Sequence, residues 1–346
     1  MIPSDCPIVV VGATGAVGRE ALAILESRGH RADRIRAVAS ARSAGSTIPY
    51  RGSAIAVSEA GAASFAGSKV ALFCATSDIA RSLAPLARAA GCAVVDNSSA
   101  FRADPSVPLV VPEVNGSEVA KAASPALVAN PNCSTILLLV ALEPIRKRFG
   151  IERIVVSTYQ AVSGAGAAAI TELQSQAADM LAGRAPQTKV FAEPCAFNVF
   201  SHNSAMDEAS GLNGEEKKMI SETRRIWNDE AVEVSPTCVR VPVVRAHSES
   251  ATITLATAAS EAEVRESFAG ALGVELIDDR KANKFPTPLR ASGTDTVFVG
   301  RLRADPGSKR DAQGRTRNHC LFLSGDQLRK GAALNAIQIA DLLFAK

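Results

Sequence analysis

The sequence predicts an α/β fold, a doubly wound parallel sheet with a second, α+β domain. Three observations predict it. A short β-branched strand runs straight into a glycine-spaced turn and a helix near residue 12. Short apolar runs then alternate with helical stretches, the pattern of parallel strands joined by crossover helices. From Arg153 onward the strand-like runs lengthen and the regular alternation stops. At 346 residues the chain has room for two domains, at roughly 100–200 residues each.

Element by element, Pro7-Ile8-Val9-Val10-Val11 has the continuous β-branched character of a buried parallel strand. Gly12-Ala13-Thr14-Gly15-Ala16-Val17-Gly18 follows, then a helix over 19–26 that stops near Gly29. Glycines at Gly12, Gly15 and Gly18 form a G-x-x-G-x-x-G variant of the dinucleotide fingerprint. They permit a tight turn, approach of backbone to a pyrophosphate, and close helix–strand packing. That makes the first domain Rossmann-type. A second strand at 35–39 leads into Ser40-Ala41-Arg42-Ser43-Ala44-Gly45. This loop offers a cation and hydroxyls in place of the acidic residue that binds a ribose 2′-OH, which favours NADP. The competing reading of Arg42 is a solvated loop residue.

Further strands are expected at 70–74, 93–95, 109–111 and 127–129, with a helix over 79–90. The second domain carries strands at 153–158, 237–241, 251–256, 297–303 and 319–323 around helices at 167–181 and 214–227. An apolar helix at 331–344, with Leu334, Ile337, Ile339, Leu342 and Leu343, returns to the first domain. The expected division is 1–132 plus 325–346 for the first domain and 133–324 for the second.

Composition excludes several classes. Thirty-eight basic against 35 acidic residues give a net charge of +3, and aromatics are 4%, so nucleic acid is not expected as a partner. Seven cysteines without a C-x-x-C pair and only four histidines give no zinc-ligand spacing, and no metal is expected. The odd cysteine count fits a reducing cytoplasm. No apolar run approaches the ~20 residues of a membrane span.

Three segments carry chemistry. Asn130-Pro131-Asn132-Cys133-Ser134-Thr135 precedes an apolar run, so Cys133 opens a helix whose positive end favours thiolate. A buried structural cysteine is the common alternative. Tyr159-Gln160-Ala161-Val162-Ser163-Gly164-Ala165-Gly166 takes a strand end into a loop of small residues, where Gln160 can orient a carbonyl. Arg240-Val241-Pro242-Val243-Val244-Arg245-Ala246-His247 places an arginine and a histidine around a proline. On an unbroken strand the two would lie roughly 23 Å apart and on opposite faces. Pro242 argues for a bend that brings them together. A thiolate, a histidine and a nicotinamide nucleotide together specify an aldehyde–acyl oxidoreductase.

The chain resembles the aspartate-semialdehyde dehydrogenase family of the bacterial type. The resemblance runs through the segments above and Asp96-Asn97-Ser98-Ser99-Ala100-Phe101-Arg102, Ala196-Phe197-Asn198-Val199 and Glu215-Glu216-Lys217-Lys218-Met219. It extends to Glu222-Thr223-Arg224-Arg225-Ile226, His247-Ser248-Glu249-Ser250 and Leu328-Arg329-Lys330-Gly331-Ala332-Ala333. It implies a second domain that is both catalytic and dimerising, and a cytoplasmic homodimer. The implied activity is NADPH-dependent conversion of L-aspartyl 4-phosphate to L-aspartate 4-semialdehyde, in lysine/diaminopimelate, threonine and methionine biosynthesis.

Carried over, Cys133 is the acyl-thioester nucleophile, His247 the acid/base, and Gln160 the neighbour of thiol and substrate. Arg240 takes the α-carboxylate, Glu215 the α-ammonium, and Arg102 and Lys218 the phosphate. Gly12, Thr14, Gly15, Ala16, Val17, Ser40, Arg42, Ser43, Ser163, Gly164 and Gln327 line the NADP site. Two stretches depart from the family pattern: Cys74-Ala75-Thr76-Ser77-Asp78, and a shortened segment over 203–213. Rival readings are an N-acetylglutamyl-phosphate reductase, which has no use for a carboxylate at Glu215, and a catalytically silent paralogue acting as a binding module. Glyceraldehyde-phosphate dehydrogenase is disfavoured by the loop at Arg42.

Overall fold

The computed structural model describes residues 1–345. Two compact units emerge, Met1–Asn132 together with the segment from Gly331 onward, and Cys133–Lys330.

In the first unit the chain forms β1 (Ile8–Val11), α1 (Ala16–Ser27), β2 (Ile35–Ala39), β3 (Thr47–Tyr50), β4 (Ser53–Glu59) and β5 (Val70–Phe73). It continues through α2 (Ser77–Ala89), β6 (Ala93–Asp96), α3 (Pro112–Asn115) and β7 (Leu127–Ala129). The seven-stranded sheet has the order β3-β4-β2-β1-β5-β6-β7. Every pairing is parallel except that of β3 with β4. All four residues of β1 are buried, as its unbroken Val/Ile run requires of a strand covered on both faces. Val10, Leu25, Leu72 and Val95 pack on one side with Ile337 and Ile339 of the last helix, Leu334–Phe344. Val9, Val11, Phe73, Ala80 and Ala84 fill the other side.

Successive strands lead away from β1 in both directions, so the strand order reverses there, where open α/β sheets bind ligands. Close approach demands the glycines that follow β1. A Cβ on Gly12, at φ +80°, would lie 2.4 Å from the Cys74 carbonyl oxygen, and one on Gly18 would lie 2.2 Å from the Gly12 oxygen.

Two features of this unit differ from the sequence reading. Residues 109–111 form no strand, only a single bridge between Leu109 and Ala129. Pro108 and Pro112 flank them without N–H donors, and Pro112 starts α3 instead. The β3–β4 hairpin was not anticipated, because Pro49 argues against a strand; at the sheet edge it is tolerated.

The second unit begins with α4 (Cys133–Phe149), β8 (Ile151–Gln160), α5 (Ala167–Leu181), β9 (Phe200–Ser201), α6 (Gly214–Trp227) and β10 (Glu233–Arg240). It continues through β11 (His247–Ala259), α7 (Glu261–Glu266), β12 (Val274–Leu276), α8 (Pro288–Ala291), β13 (Val297–Ala304) and β14 (Thr316–Gly325). Its mixed sheet has the order β12-β13-β14-β11-β8-β10-β9. One face is buried at alternate positions, among them Ile154, Val156, Cys238, Ala251, Ile253, Leu321 and Leu323. The helix α4 lies so close to β14 that a Cβ on Gly325 would sit 2.5 Å from Leu137 Cδ2. The chain leaves this unit after Lys330, later than the 325 read from the sequence. The reason is local: Gly325 still pairs with His247, and Gln327 accepts the Ala246 N–H at 2.8 Å.

Register places three of the expected site residues at one end of this sheet. Arg240 pairs with Gln160 at the ends of parallel strands β10 and β8. His247 opens antiparallel β11 one residue before Ser248, the partner of Tyr159.

Candidate active site

The site of the second unit is built on strand ends and helix starts. Cys133 is the first residue of α4, at the positive end of the helix, and Arg146, Lys147 and Arg148 complement the far end. Gln160, 1% exposed, donates from Nε2 to Ser134 Oγ at 3.0 Å and to Glu215 Oε1 at 3.3 Å. That amide therefore stands between the residue after Cys133 and the start of α6. Asn213 caps α6, accepting the N–H groups of Glu215 and Glu216 at 3.0 Å each. Glu216 returns the contact to the Asn213 N–H and also accepts the Cys238 N–H at 2.9 Å, which holds α6 on β10. Glu215 keeps its carboxylate toward the site, 3.2 Å from Lys218 Nζ.

The bend expected around Pro242 is present, with Ala246 at φ +71°. It separates the end of β10 from the start of β11 and folds against the loop after β8, where the Val162 N–H reaches the Val243 oxygen at 2.9 Å. Arg240 and His247 converge as a result. A Cβ on Gly164 would lie 3.3 Å from His247 Cε1 and 3.5 Å from Arg240 Nη1, so both side chains border the same glycine.

Arg240 is almost completely buried. It donates from Nη1 to the Ala161 oxygen at 2.7 Å and from Nη2 to His202 Nε2 and Asn203 Oδ1 at 2.9 Å each. Its guanidinium also lies over the Phe191 ring, 5.4 Å from the centroid. Burial lowers its pKa, opposed first by Cys133 and then by Glu215. His247 is fully buried and accepts the Ala161 N–H on Nδ1 at 2.9 Å. A nitrogen that accepts carries no proton, so the neutral ring holds its proton on Nε2. Burial, then Arg240, pushes its pKa well below the usual value. Ser163 and Gln327 form a buried pair, Nε2 of Gln327 donating to the serine hydroxyl.

In the first unit, Gly12, Thr14, Gly15, Ala16 and Val17 form the turn into α1. Gly15 is its N-cap and makes no side-chain cap bond, leaving the helix start to a ligand's oxygens. Ser40, Arg42 and Ser43 lie in the tight turn after β2, with Arg42 exposed. Arg102 is held by the oxygens of Asn97 at 2.7 Å and Asn130 at 2.9 Å. Cys74 backs the glycine turn, its thiol pushed up to about 12 by burial and by Asp96, which makes it a packing residue. The described residues contain no group of three or more His, Cys, Asp or Glu arranged to hold a metal.

The sequence reading missed His202, Asn203 and Ser204. They follow β9, which pairs Phe200 with Arg240, and no spacing rule marks a lone histidine in a loop. It also gave no role to Glu249, fully buried on β11, with neither oxygen hydrogen-bonded among the described residues. The only sequence signal for Glu249 is a charged residue at a position whose strand alternation points it inward.

A thiol at a helix start, an amide beside it, and an arginine and a histidine meeting at one glycine make a centre for chemistry on a carbonyl carbon. Comparison with known proteins points the same way. Residues 7–122 match the family described as semialdehyde dehydrogenase, NAD binding domain, and residues 142–330 match its dimerisation domain. The chain is 43% identical over 345 residues to an aspartate-semialdehyde dehydrogenase of Synechocystis sp., covering 100% of this chain and 99% of that one. It is 44% identical to the Aquifex aeolicus protein of the same name, with 97% of each covered. The crystal structure of Vibrio cholerae aspartate semialdehyde dehydrogenase II complexed with ASA superposes with a TM-score of 0.91 at 40% identity, over 98% of both chains. With the whole length matched and the family models spanning both units, the chain belongs to the aspartate-semialdehyde dehydrogenase family.

Proposed function

We propose that this chain is an NADP-dependent aspartate-semialdehyde dehydrogenase. It makes L-aspartate 4-semialdehyde from L-aspartyl 4-phosphate, in the biosynthesis of lysine and diaminopimelate, threonine and methionine. The observation that carries the reading is the placement of Gln160 between Ser134 and Glu215, with Arg240 and His247 converging beside Gly164. A carboxylate and a guanidinium in one site suit the ammonium and carboxylate of an α-amino acid. An N-acetylated substrate would present no ammonium for the Glu215 carboxylate to pair with.

Each residue then has a task. The Cys133 sulfur attacks the acyl carbon, forming the thioester as the bond to phosphate breaks. Arg102 and Lys218 supply cations for the departing phosphate. Arg240 holds the α-carboxylate, Glu215 the α-ammonium, and Gln160 orients the carbonyl. Gly12, Thr14, Gly15, Ala16, Val17, Ser40, Arg42 and Ser43, with Ser163, Gly164 and Gln327, hold the nucleotide. The start of α1, whose N-cap Gly15 makes no side-chain cap bond, fits a pyrophosphate, and the backbone packing at Gly12 and Gly18 holds the turn that leads into it. NADPH, when bound there, would supply the hydride that reduces the acyl carbon. His247 offers the Nε2 proton to the oxygen that becomes negative and takes it back as the C–S bond breaks, so that collapse gives the aldehyde and returns the thiolate.

The outer face of the second sheet supports a homodimer. Val155 and Tyr159 stand exposed on it, Tyr159 packing on Phe322 at 6.3 Å between centroids. Chemistry through a thiolate, in a chain of seven cysteines with no C-x-x-C pair, supports the cytoplasm as its compartment. One assay tests the function: aspartate semialdehyde, phosphate or arsenate and NADP, followed by NADPH absorbance. Turnover that requires all three is expected, and no reduction of NADP overturns the reading.

A further inference from the structure

Arg240 and Glu215 sit on different elements, the end of β10 and the start of α6, and the segment over 202–204 joins them by hydrogen bonds. An arginine only donates, so the 2.9 Å contact between Arg240 Nη2 and His202 Nε2 leaves that ring nitrogen without a proton. The proton of the neutral ring is then on Nδ1, 3.1 Å from Ser204 Oγ. The same hydroxyl accepts the Glu215 N–H at 3.0 Å and donates to Asn213 Oδ1, the cap of α6, at 3.4 Å. One hydroxyl hydrogen and two lone pairs are thereby all used. The Ser204 N–H also lies 3.2 Å from Nδ1, but a protonated Nδ1 has no lone pair to offer it, so the hydroxyl contact is the bond.

The segment is tied to the strand that bears the arginine. Phe200 pairs with Arg240, and the His202 N–H reaches the Cys238 oxygen at 2.9 Å. Burial, then Arg240 and Lys218, brings the His202 pKa down to about 4 against the pull of Glu215, so the ring stays a neutral acceptor at neutral pH.

We infer that His202 is a positioning residue for amino-acid recognition. Through its two ring nitrogens it fixes the guanidinium of Arg240 relative to Glu215, and so sets the spacing at which a carboxylate and an ammonium on one carbon are gripped together. The inference rests on the proposed roles of Arg240 and Glu215. It adds a residue that touches neither the substrate nor the reacting atoms.

Steady-state kinetics with aspartate semialdehyde, phosphate and NADP test it in four proteins beside the wild type: His202→Leu, His202→Gln, Ser204→Ala and Arg240→Lys. In His202→Leu the KM for aspartate semialdehyde should rise about tenfold, the worth of one hydrogen bond to a charged group, with kcat and the KM for NADP changed little. His202→Gln can return an amide oxygen to the Nε2 position and should recover most of that loss. Ser204→Ala breaks the second link while leaving the ring in place, and should raise the same KM by a smaller factor. It carries the test if His202→Leu fails to fold. A merely structural histidine would instead lower thermal stability or kcat and leave KM alone, and that result overturns the inference. So does a KM raised by Arg240→Lys but by neither the His202 nor the Ser204 variants. An unchanged KM in Arg240→Lys removes Arg240 from the site, and the inference falls with it.

Discussion

Cys133 draws its character from where α4 begins, and the consequence is testable at that one atom. Cys133→Ser keeps the size of the residue and the start of the helix, so the fold should survive, while a hydroxyl at neutral pH lacks the nucleophilicity of a thiolate. Turnover should fall to background with the melting temperature almost unchanged, checked by the NADPH assay and calorimetry; substantial residual activity would move the nucleophile elsewhere. Arg240 makes a second residue-scale case. Its planar fork already serves Ala161, His202 and Asn203. A lysine in its place keeps the charge but loses the fork, and the expected effect is a raised KM for aspartate semialdehyde.

The turn after β2 is the proposed determinant of nucleotide choice. Among the groups proposed to hold the nucleotide there, only Arg42 is charged, and it is exposed. Arg42→Ala should weaken NADP by about 10- to 150-fold, the worth of charge-assisted bonds to a phosphate, and leave weak NAD use nearly untouched. Parallel titrations with both nucleotides check this, and equal losses would mean that Arg42 does not read the 2′-phosphate. How far the elements were legible depended on how local their signals are. The bounds of α5 and α6 could be read outright, because their signals are local: Gly166 precedes the helical run of α5, and Asn213 with Glu216 forms a capping box at the start of α6. The strand at 109–111 misled because the apolar run outweighed the two prolines around it. The meeting of Arg240 and His247 was legible only as a bend at Pro242, since what closes it is a contact with the loop after β8. His202 was not legible at all: its meaning lies in partners on β10 and α6 that become neighbours only when the sheet forms.

Across the whole molecule, buried ionisable groups set how stability follows pH. The folded pKa of His202 is lowered to about 4, so between about 4 and 6.5 the unfolded chain binds the extra proton and stability rises with pH. Glu249 works in the opposite sense. Burial, then Glu215, raises its pKa well above 4.5, so the folded chain holds a proton that the unfolded chain has lost. Its contribution declines as pH climbs past about 4.5, by roughly 1.4 kcal/mol per unit until the folded pKa is reached. Glu249→Gln keeps the shape and removes the titration. Thermal melts should show the variant gaining on the wild type between pH 5 and pH 8, and an equal loss at both values would mean that Glu249 is ionised and paired in the fold. The last helix brings another consequence at this scale. Ile337 and Ile339 complete the apolar layer under β1 and β5, Asn335 binds the Val110 oxygen at 3.0 Å and Asn130 Oδ1 at 2.7 Å, and Asp341 pairs with Arg28 at 2.7 Å. A ribosome delivers β1 to β7 long before it delivers that helix. The apolar layer of the first unit therefore stays open on that side until the whole second unit has been synthesised and the helix after it has been made.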